Sequence, residues 1–260
     1  MRACILLCLA MTACDGARRA SPTAKTEPRP STETQLAAAA AGATVPTDGA
    51  LRVETFQPSS GPPTFVLRGP RGPARIVFLH GMCGHGLGYL QAFPRAAAKH
   101  GTLIAPQGDV SCGGPWSKWS ANLSELDRRI GEAFASAGHA EPLRDIWVIG
   151  LSQGATRAVE LARKWPERYT HLIGIAAPTA IRPGELKSLS AAVMMAGDRD
   201  RRDIMQQSQR ALSASRVPAL FLLMPEAPHG SLGRSPETTM ATALTHLAEH
   251  PRRLTPKDER

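Results

Sequence analysis

A serine hydroxyl becomes a nucleophile only when a base removes its proton, and an imidazole serves as that base only when a carboxylate holds its tautomer. The sequence offers candidates for all three parts. Ser152 stands in Gly150-Leu151-Ser152-Gln153-Gly154, preceded by the apolar run Ile146-Trp147-Val148-Ile149 and followed by a helical pattern from Gln153 to Lys164. A bare Gly-x-Ser-x-Gly is a weak signal. The same residues joining a buried strand to a helix describe a sharp turn that lifts the hydroxyl clear of the sheet. The glycines let neighbouring backbone pass without a Cβ in the way, and the helix N-terminus stabilises negative charge developing beside the serine. A serine that only caps an ordinary helix is the alternative.

The base must be chosen among eight histidines. His100, His139, His171, His246 and His250 fall in or beside helix and strand patterns, where a packed or solvated role suits them. His229 follows the apolar run Pro218 to Met224, in the turn-like segment Pro225-Glu226-Ala227-Pro228-His229-Gly230. The acid has two candidates, Asp198 and Asp200, in the polar turn Ala196-Gly197-Asp198-Arg199-Asp200 after the run Ala192-Val193-Met194-Met195. Asp203 fits a helix start better. Serine, acid and histidine thus occur in that order, each at the end of a different strand pattern.

The elements that must position these groups alternate along the chain. Strands are expected over Leu51 to Phe56 and Thr64 to Arg68, an opening pair of edge strands, then over Arg75 to Leu79, Thr102 to Ala105, Asp145 to Ile149, His171 to Ala176, Ala192 to Met195 and Ala219 to Met224. Helices are expected over Leu90 to His100, Asn122 to Ala137, Gln153 to Lys164, Asp203 to Ala214 and Pro236 to His250. Leu123, Leu126, Ile130 and Phe134 show the three- and four-residue spacing of an amphipathic helix. Apolar runs without alternation are strands buried on both faces. The fold class is α/β, a mainly parallel central sheet with helices on both faces.

With these motifs the chain resembles the α/β-hydrolase superfamily over residues 51–250. The elbow at Ser152, the strand-to-His-Gly segment Val77-Phe78-Leu79-His80-Gly81-Met82, the Gly-Asp-x-Asp turn and the His-Gly after the final strand carry the likeness. In motif it is closest to the carboxylesterase, acyl-thioesterase and dienelactone-hydrolase-like branch. The resemblance implies a triad of Ser152, Asp200 and His229, with Asp198 as the alternative acid. It also implies an oxyanion hole from the backbone N–H groups of Met82 and Gln153, with His80 structural. The chemistry implied is hydrolysis of an ester or thioester through an acyl-enzyme, with a small-molecule or acylated substrate and no cofactor. Peptidase or acyl-transfer chemistry would use the same groups, and a non-catalytic binding protein on this fold is the reading from outside enzymology.

Only Pro178 to Ser190 separate the two strand patterns between which this superfamily inserts large lids, so no large lid and an open site are expected. Gln107 to Ser120, rich in glycine, holds Trp116 and Trp119; with His85 these are candidates for a pocket wall, although the tryptophans would equally serve to cover the core.

Residues 1–14 read as an export signal: Arg2, an apolar run from Ala3 to Met11, and small residues before Cys14. Leu9-Ala10-Met11-Thr12-Ala13-Cys14 resembles a bacterial lipobox, with Met11 in place of the usual leucine, and implies lipidation at Cys14 and attachment to a membrane in the cell envelope. Residues 15–50, rich in Pro, Ala, Thr and Ser, read as a tether, and residues 251–260 as a charged tail. Of five cysteines, Cys83 and Cys112 remain in the catalytic domain; an even pair in an exported protein suggests a disulfide. Free thiols, or a metal held by Cys83, His85 and Cys112, are the other readings. The formal net charge is +9, but arginines are scattered without interleaved aromatics, which speaks against a nucleic-acid partner. No metal motif such as His-Glu-x-x-His and no phosphate-cradling Gly-x-x-x-x-Gly-Lys occurs, and nothing in the sequence sets an oligomeric state.

Overall fold

The chain was analysed as a computed structural model, which describes residues 51–69, 74–139, 142–182, 184, 186 and 188–252. The expected signal, Cys14, the tether and residues 253–260 of the tail lie outside the described residues. Among the described residues no helix is long and apolar enough to cross a membrane.

Eight strands form one sheet. In chain order they are β1 (Val53–Phe56), β2 (Thr64–Leu67), β3 (Ala74–Leu79), β4 (Gly101–Pro106), β7 (Ile146–Leu151), β8 (Tyr169–Ile175), β9 (Ala191–Arg199) and β10 (Ala219–Pro228). Their spatial order is β1-β2-β4-β3-β7-β8-β9-β10. The β1–β2 and β2–β4 pairs are antiparallel, and every pair from β4 to β10 is parallel. Two further strands, β5 (Val110–Gly113) and β6 (Trp116–Lys118), make a separate hairpin. The helices are α1 (Gly86–Leu90), α2 (Pro94–His100), α3 (Leu123–Ser136), α4 (Gln153–Lys164), α5 (Arg202–Ala214) and α6 (Pro236–Ala248).

Both faces of the sheet are covered because its strands are apolar at odd and even positions alike. On β3, Val77 and Leu79 pack into the core that holds α3, α4 and α5, whereas Ile76 and Phe78 pack into the core that holds α1, α2 and α6. On β7, Val148 faces the first core, and Trp147 and Ile149 the second. The period of two thus sorts one continuous apolar run into two hydrophobic layers.

Four expectations need correction. β2 is no edge strand: it pairs with β1 on one side and β4 on the other, and all four of its residues are buried. The helix expected over Leu90 to His100 begins only at Pro94, after a separate short helix that ends at Leu90, because Pro94 cannot continue a helix but suits the first position of a new one. Gln107 to Ser120 is not all loop, since β5 and β6 turn back on each other at Gly113 and Gly114, whose φ of 99° and 53° other residues rarely adopt. Finally, β9 and β10 run several residues further than their apolar cores, carrying Asp198 inside β9 and leaving Asp200 just beyond it. Between β8 and β9 there are fifteen residues, too few for a lid domain.

One charged residue lies on the buried stripe of α3. Arg129 is almost wholly buried, and its guanidinium donates to the carbonyls of Gln107 (2.6 Å) and Pro62 (3.1 Å). It thereby pins the segment leading into β5 to the helix. Arg129→Leu keeps an apolar body but strands both carbonyls, so we expect stability to fall by about 2–4 kcal/mol. A lower urea midpoint with an unchanged slope would show it.

Candidate active site

β7 ends at Leu151 and α4 starts at Gln153, leaving one residue for the reversal. Ser152 makes it with φ 51° and ψ −115°, a conformation costing a non-glycine residue roughly 1–3 kcal/mol. Backbone bonds hold it there: Ser152 N–H donates to Ile175 O of β8 (2.8 Å), and its carbonyl accepts from Ala155 (3.0 Å) and Thr156 (3.3 Å). The flanking glycines are required by space. A Cβ on Gly150 would lie 2.3 Å from Gly154 O, and one on Gly154 would lie 2.0 Å from Leu79 O. Although Ser152 is at the N-cap of α4, its side chain makes no cap bond. Its Oγ lies 3.0 Å from His229 Nε2 instead.

His229 follows the last residue of β10. Its Nδ1 is 2.9 Å from Asp200 Oδ2, while Asp200 Oδ1 accepts the N–H of Arg201 (2.7 Å). A carboxylate only accepts, so this bond places the proton on Nδ1 and leaves Nε2 to accept from the Ser152 hydroxyl. The Asp200 side chain is 10% exposed and the imidazole 56%, so the carboxylate is sheltered and the ring faces solvent. Between the two candidate acids the geometry discriminates: Asp200 meets His229, and Asp198 is exposed on β9.

No family model matches the chain, and no curated protein matches it in sequence. Solved structures do match in shape. TT1662 from Thermus thermophilus superposes with a TM-score of 0.55 at 18% identity, over 76% of this chain and 99% of that one. The carboxylesterase CesB (YbfK) from Bacillus subtilis gives 0.56 at 15% identity over 76% and 93% of the two chains. FphF, a fluorophosphonate-binding serine hydrolase from Staphylococcus aureus, gives 0.56 at 12% identity over 76% and 98%. The chain has the α/β-hydrolase fold. At these identities the likeness carries the fold alone.

In this α/β-hydrolase fold the turn after β3 lies beside the elbow, since Leu79 pairs with Gly150 across the sheet. Gly81 O accepts from Gly84 N–H (3.1 Å) and faces His80 Nδ1 at 2.7 Å. His80 Nε2 accepts Gly108 N–H (2.9 Å), so Nδ1 must carry the proton and donate. A trans peptide sets C=O and N–H on opposite sides; turning Gly81 O toward His80 therefore turns Met82 N–H away from it. Among the described residues, no hydrogen bond engages the N–H of Met82 or Gln153. His80 is fully buried, and burial pushes its pKa down to about 4, keeping it neutral in this role.

The hairpin of β5 and β6 closes against this turn. The Gln153 side chain accepts from Trp119 N–H (3.1 Å) and donates to Trp119 O (3.2 Å), and the Trp119 indole donates to His80 O (2.7 Å). Gln107 sits at the centre: its Oε1 accepts Gly86 N–H (2.9 Å), and its amide nitrogen lies within reach of Gly84 O, Pro115 O and Ser117 Oγ. Cys83 and Cys112 form a disulfide, with Cα atoms 5.6 Å apart, joining the turn to β5. Both thiols are used in that bond, which removes the reading of these cysteines as metal ligands. No cluster of three or more potential metal ligands occurs among the described residues.

Of the three expected wall residues, Trp119 needs correction. It is buried, its indole N–H is taken and its ring lies 4.6 Å from that of His80, so it frames the turn from inside the core. Trp116 is half-buried and edge-on to His85 at 6.2 Å; His85 in turn lies 5.2 Å from Phe65. Met82, 60% exposed, is the most exposed large apolar side chain described. Sequence reasoning missed Gln107 and Arg129, whose roles depend on which carbonyls come within reach.

The pKa of His80 has a consequence for stability. The unfolded chain takes up the imidazole proton below pH 6.5, but folded His80 resists it down to about 4. His80 therefore costs nothing above pH 6.5, and stability falls as the pH drops from 6.5 toward 4, by on the order of 3 kcal/mol. Burial lowers His85, His100, His139, His171 and His246 as well, adding in the same direction. Urea midpoints measured from pH 7 to pH 4 should decline, and His80→Asn should make that decline shallower.

Proposed function

We propose that the chain is a serine hydrolase that cleaves a carboxylic ester or thioester through an acyl-enzyme. One observation carries this reading: Ser152 Oγ, held out of the sheet by a strained backbone, lies 3.0 Å from an imidazole whose other nitrogen is 2.9 Å from a sheltered carboxylate. In this reading His229 Nε2 takes the hydroxyl proton as Oγ attacks the carbonyl carbon. Asp200 holds the ring and stabilises the imidazolium. The N–H groups of Met82 and Gln153, with the N-terminal end of α4, receive the charge on the carbonyl oxygen. His229 then returns the proton to the departing alcohol or thiol, and a water activated by the same imidazole releases the acid. Structural likeness to a carboxylesterase and to a fluorophosphonate-binding serine hydrolase supports the chemistry.

A fluorophosphonate probe should label the purified domain at Ser152, and p-nitrophenyl acetate should be turned over. Ser152→Ala should lose labelling and lower turnover by a factor of at least about 10³. Wild-type protein that takes no probe and cleaves no activated ester would overturn the reading.

We further propose that the enzyme works outside the cytosol, anchored through Cys14. The Cys83–Cys112 disulfide supports an oxidising compartment, and Ala13-Cys14 supports the anchor. Cys14→Ala should abolish incorporation of radiolabelled fatty acid and move the protein from membrane to soluble fractions. Labelling that persists in that variant would place any lipid elsewhere.

A further inference from the structure

His229 faces solvent, so packing does little to fix its ring. The loop that carries it is firm at the stem. Arg234 N–H donates to Pro225 O (3.0 Å), Arg234 pairs with Glu226, and Ala227 is fully buried. The tip is a turn closed by Ser231 N–H on Pro228 O (3.1 Å), with Gly230 at φ 85°. From α1, the Tyr89 hydroxyl donates to Gly230 O at 2.8 Å, one residue from His229. The Tyr89 ring lies stacked 5.1 Å from Phe78, which is fully buried on β3, so the core sets the position of that hydroxyl. The segment from Met82 to Tyr89 is continuous chain of eight residues, bound to the hairpin through Cys83 and to Gln107 through Gly86 N–H.

We propose that Tyr89 is a positioning residue for the Ser152 reaction: its hydroxyl sets the height of the His229 loop and ties the base to the turn that bears Met82. The proposal rests on the hydrolase reading above. Tyr89 acts through the Gly230 carbonyl, because a proton is passed efficiently only when Oγ and Nε2 are held at hydrogen-bond distance.

Tyr89→Phe keeps the ring on Phe78 and removes the hydroxyl that donates to Gly230 O. With p-nitrophenyl acetate, kcat should fall about three- to tenfold, the scale of one lost hydrogen bond, while KM stays within about twofold. The rate of fluorophosphonate labelling should fall in parallel. Leu87→Ala, on the same helix and packed against the same core, is the control for loosening alone: it should lower the melting temperature and leave kcat unchanged. Tyr89→Phe with wild-type kcat overturns the proposal, as does a Leu87→Ala loss of kcat equal to that of Tyr89→Phe. A wild-type protein that neither takes the probe nor cleaves the ester overturns the hydrolase reading, and this proposal with it.

Discussion

The site depends on one backbone conformation. Ser152 is held where serine does not rest by itself, and the hydrogen bond to Ile175 O on one side and those from the first turn of α4 on the other offset that strain. The conformation is possible because β3, β7 and α4 approach each other to backbone contact at Gly150 and Gly154. A single added methyl would push Gly154 away from Leu79 O. The same contact fixes where the next group can be, since Leu79 is followed directly by His80, Gly81 and Met82. Sheet register, with Leu79 opposite Gly150, thus brings the turn that bears Met82 beside Ser152.

A second layer of polar groups keeps that register aimed. His80, Gln107, Trp119 and Gln153 come from the turn after β3, the segment of the β5–β6 hairpin and the start of α4, and their side chains bond backbone amides and carbonyls of the first two. Each partner here is neutral. A buried neutral network satisfies its donors and acceptors without the large desolvation cost of a charge, and it rigidifies only while every member is paired. The depressed pKa of His80 belongs to this arrangement: protonation at Nε2 would put two N–H groups face to face at Gly108 and turn a bond into a repulsion. Arg129 is the one cation in the layer, and it too works by donating to carbonyls.

These facts explain what could be read in advance. The apolar runs of β3, β7 and β8 were legible because strands buried on both faces need no alternation, and Ser152, Asp200 and His229 were legible because each stands where such a run gives way to polar turn residues. β5 and β6 were not, being three or four residues long and mostly exposed, so they carry no hydrophobic period. Trp119 misled because its residue type suits a ligand wall and a core equally; only the position of His80 O sends its indole inward. Gln107 and Arg129 had no signal at all. A glutamine and an arginine are surface residues by default, and tertiary contact alone makes them structural.

Among the described residues no lid domain stands between β8 and β9, and a braced turn lies beside an exposed imidazole. Where a lid closes, water is expelled, and charge interactions inside strengthen through the lowered dielectric. Here the His229 imidazole stays open to solvent, so on the proposed hydrolase reading the N–H groups of Met82 and Gln153 must already point correctly before substrate arrives. That requirement falls on the turn from Gly81 to Gly84. It is bound by the disulfide through Cys83, by Gln107 through Gly84 O, and by His80 through Gly81 O, three attachments on four residues. Solvent can rearrange around His229 at little cost, because Asp200 remains sheltered and keeps the ring's tautomer. It cannot rearrange the turn. On the proposed hydrolase reading, preorganised backbone takes the place of enclosure among the described residues, and the β5–β6 hairpin is the element that supplies that bracing through Cys112.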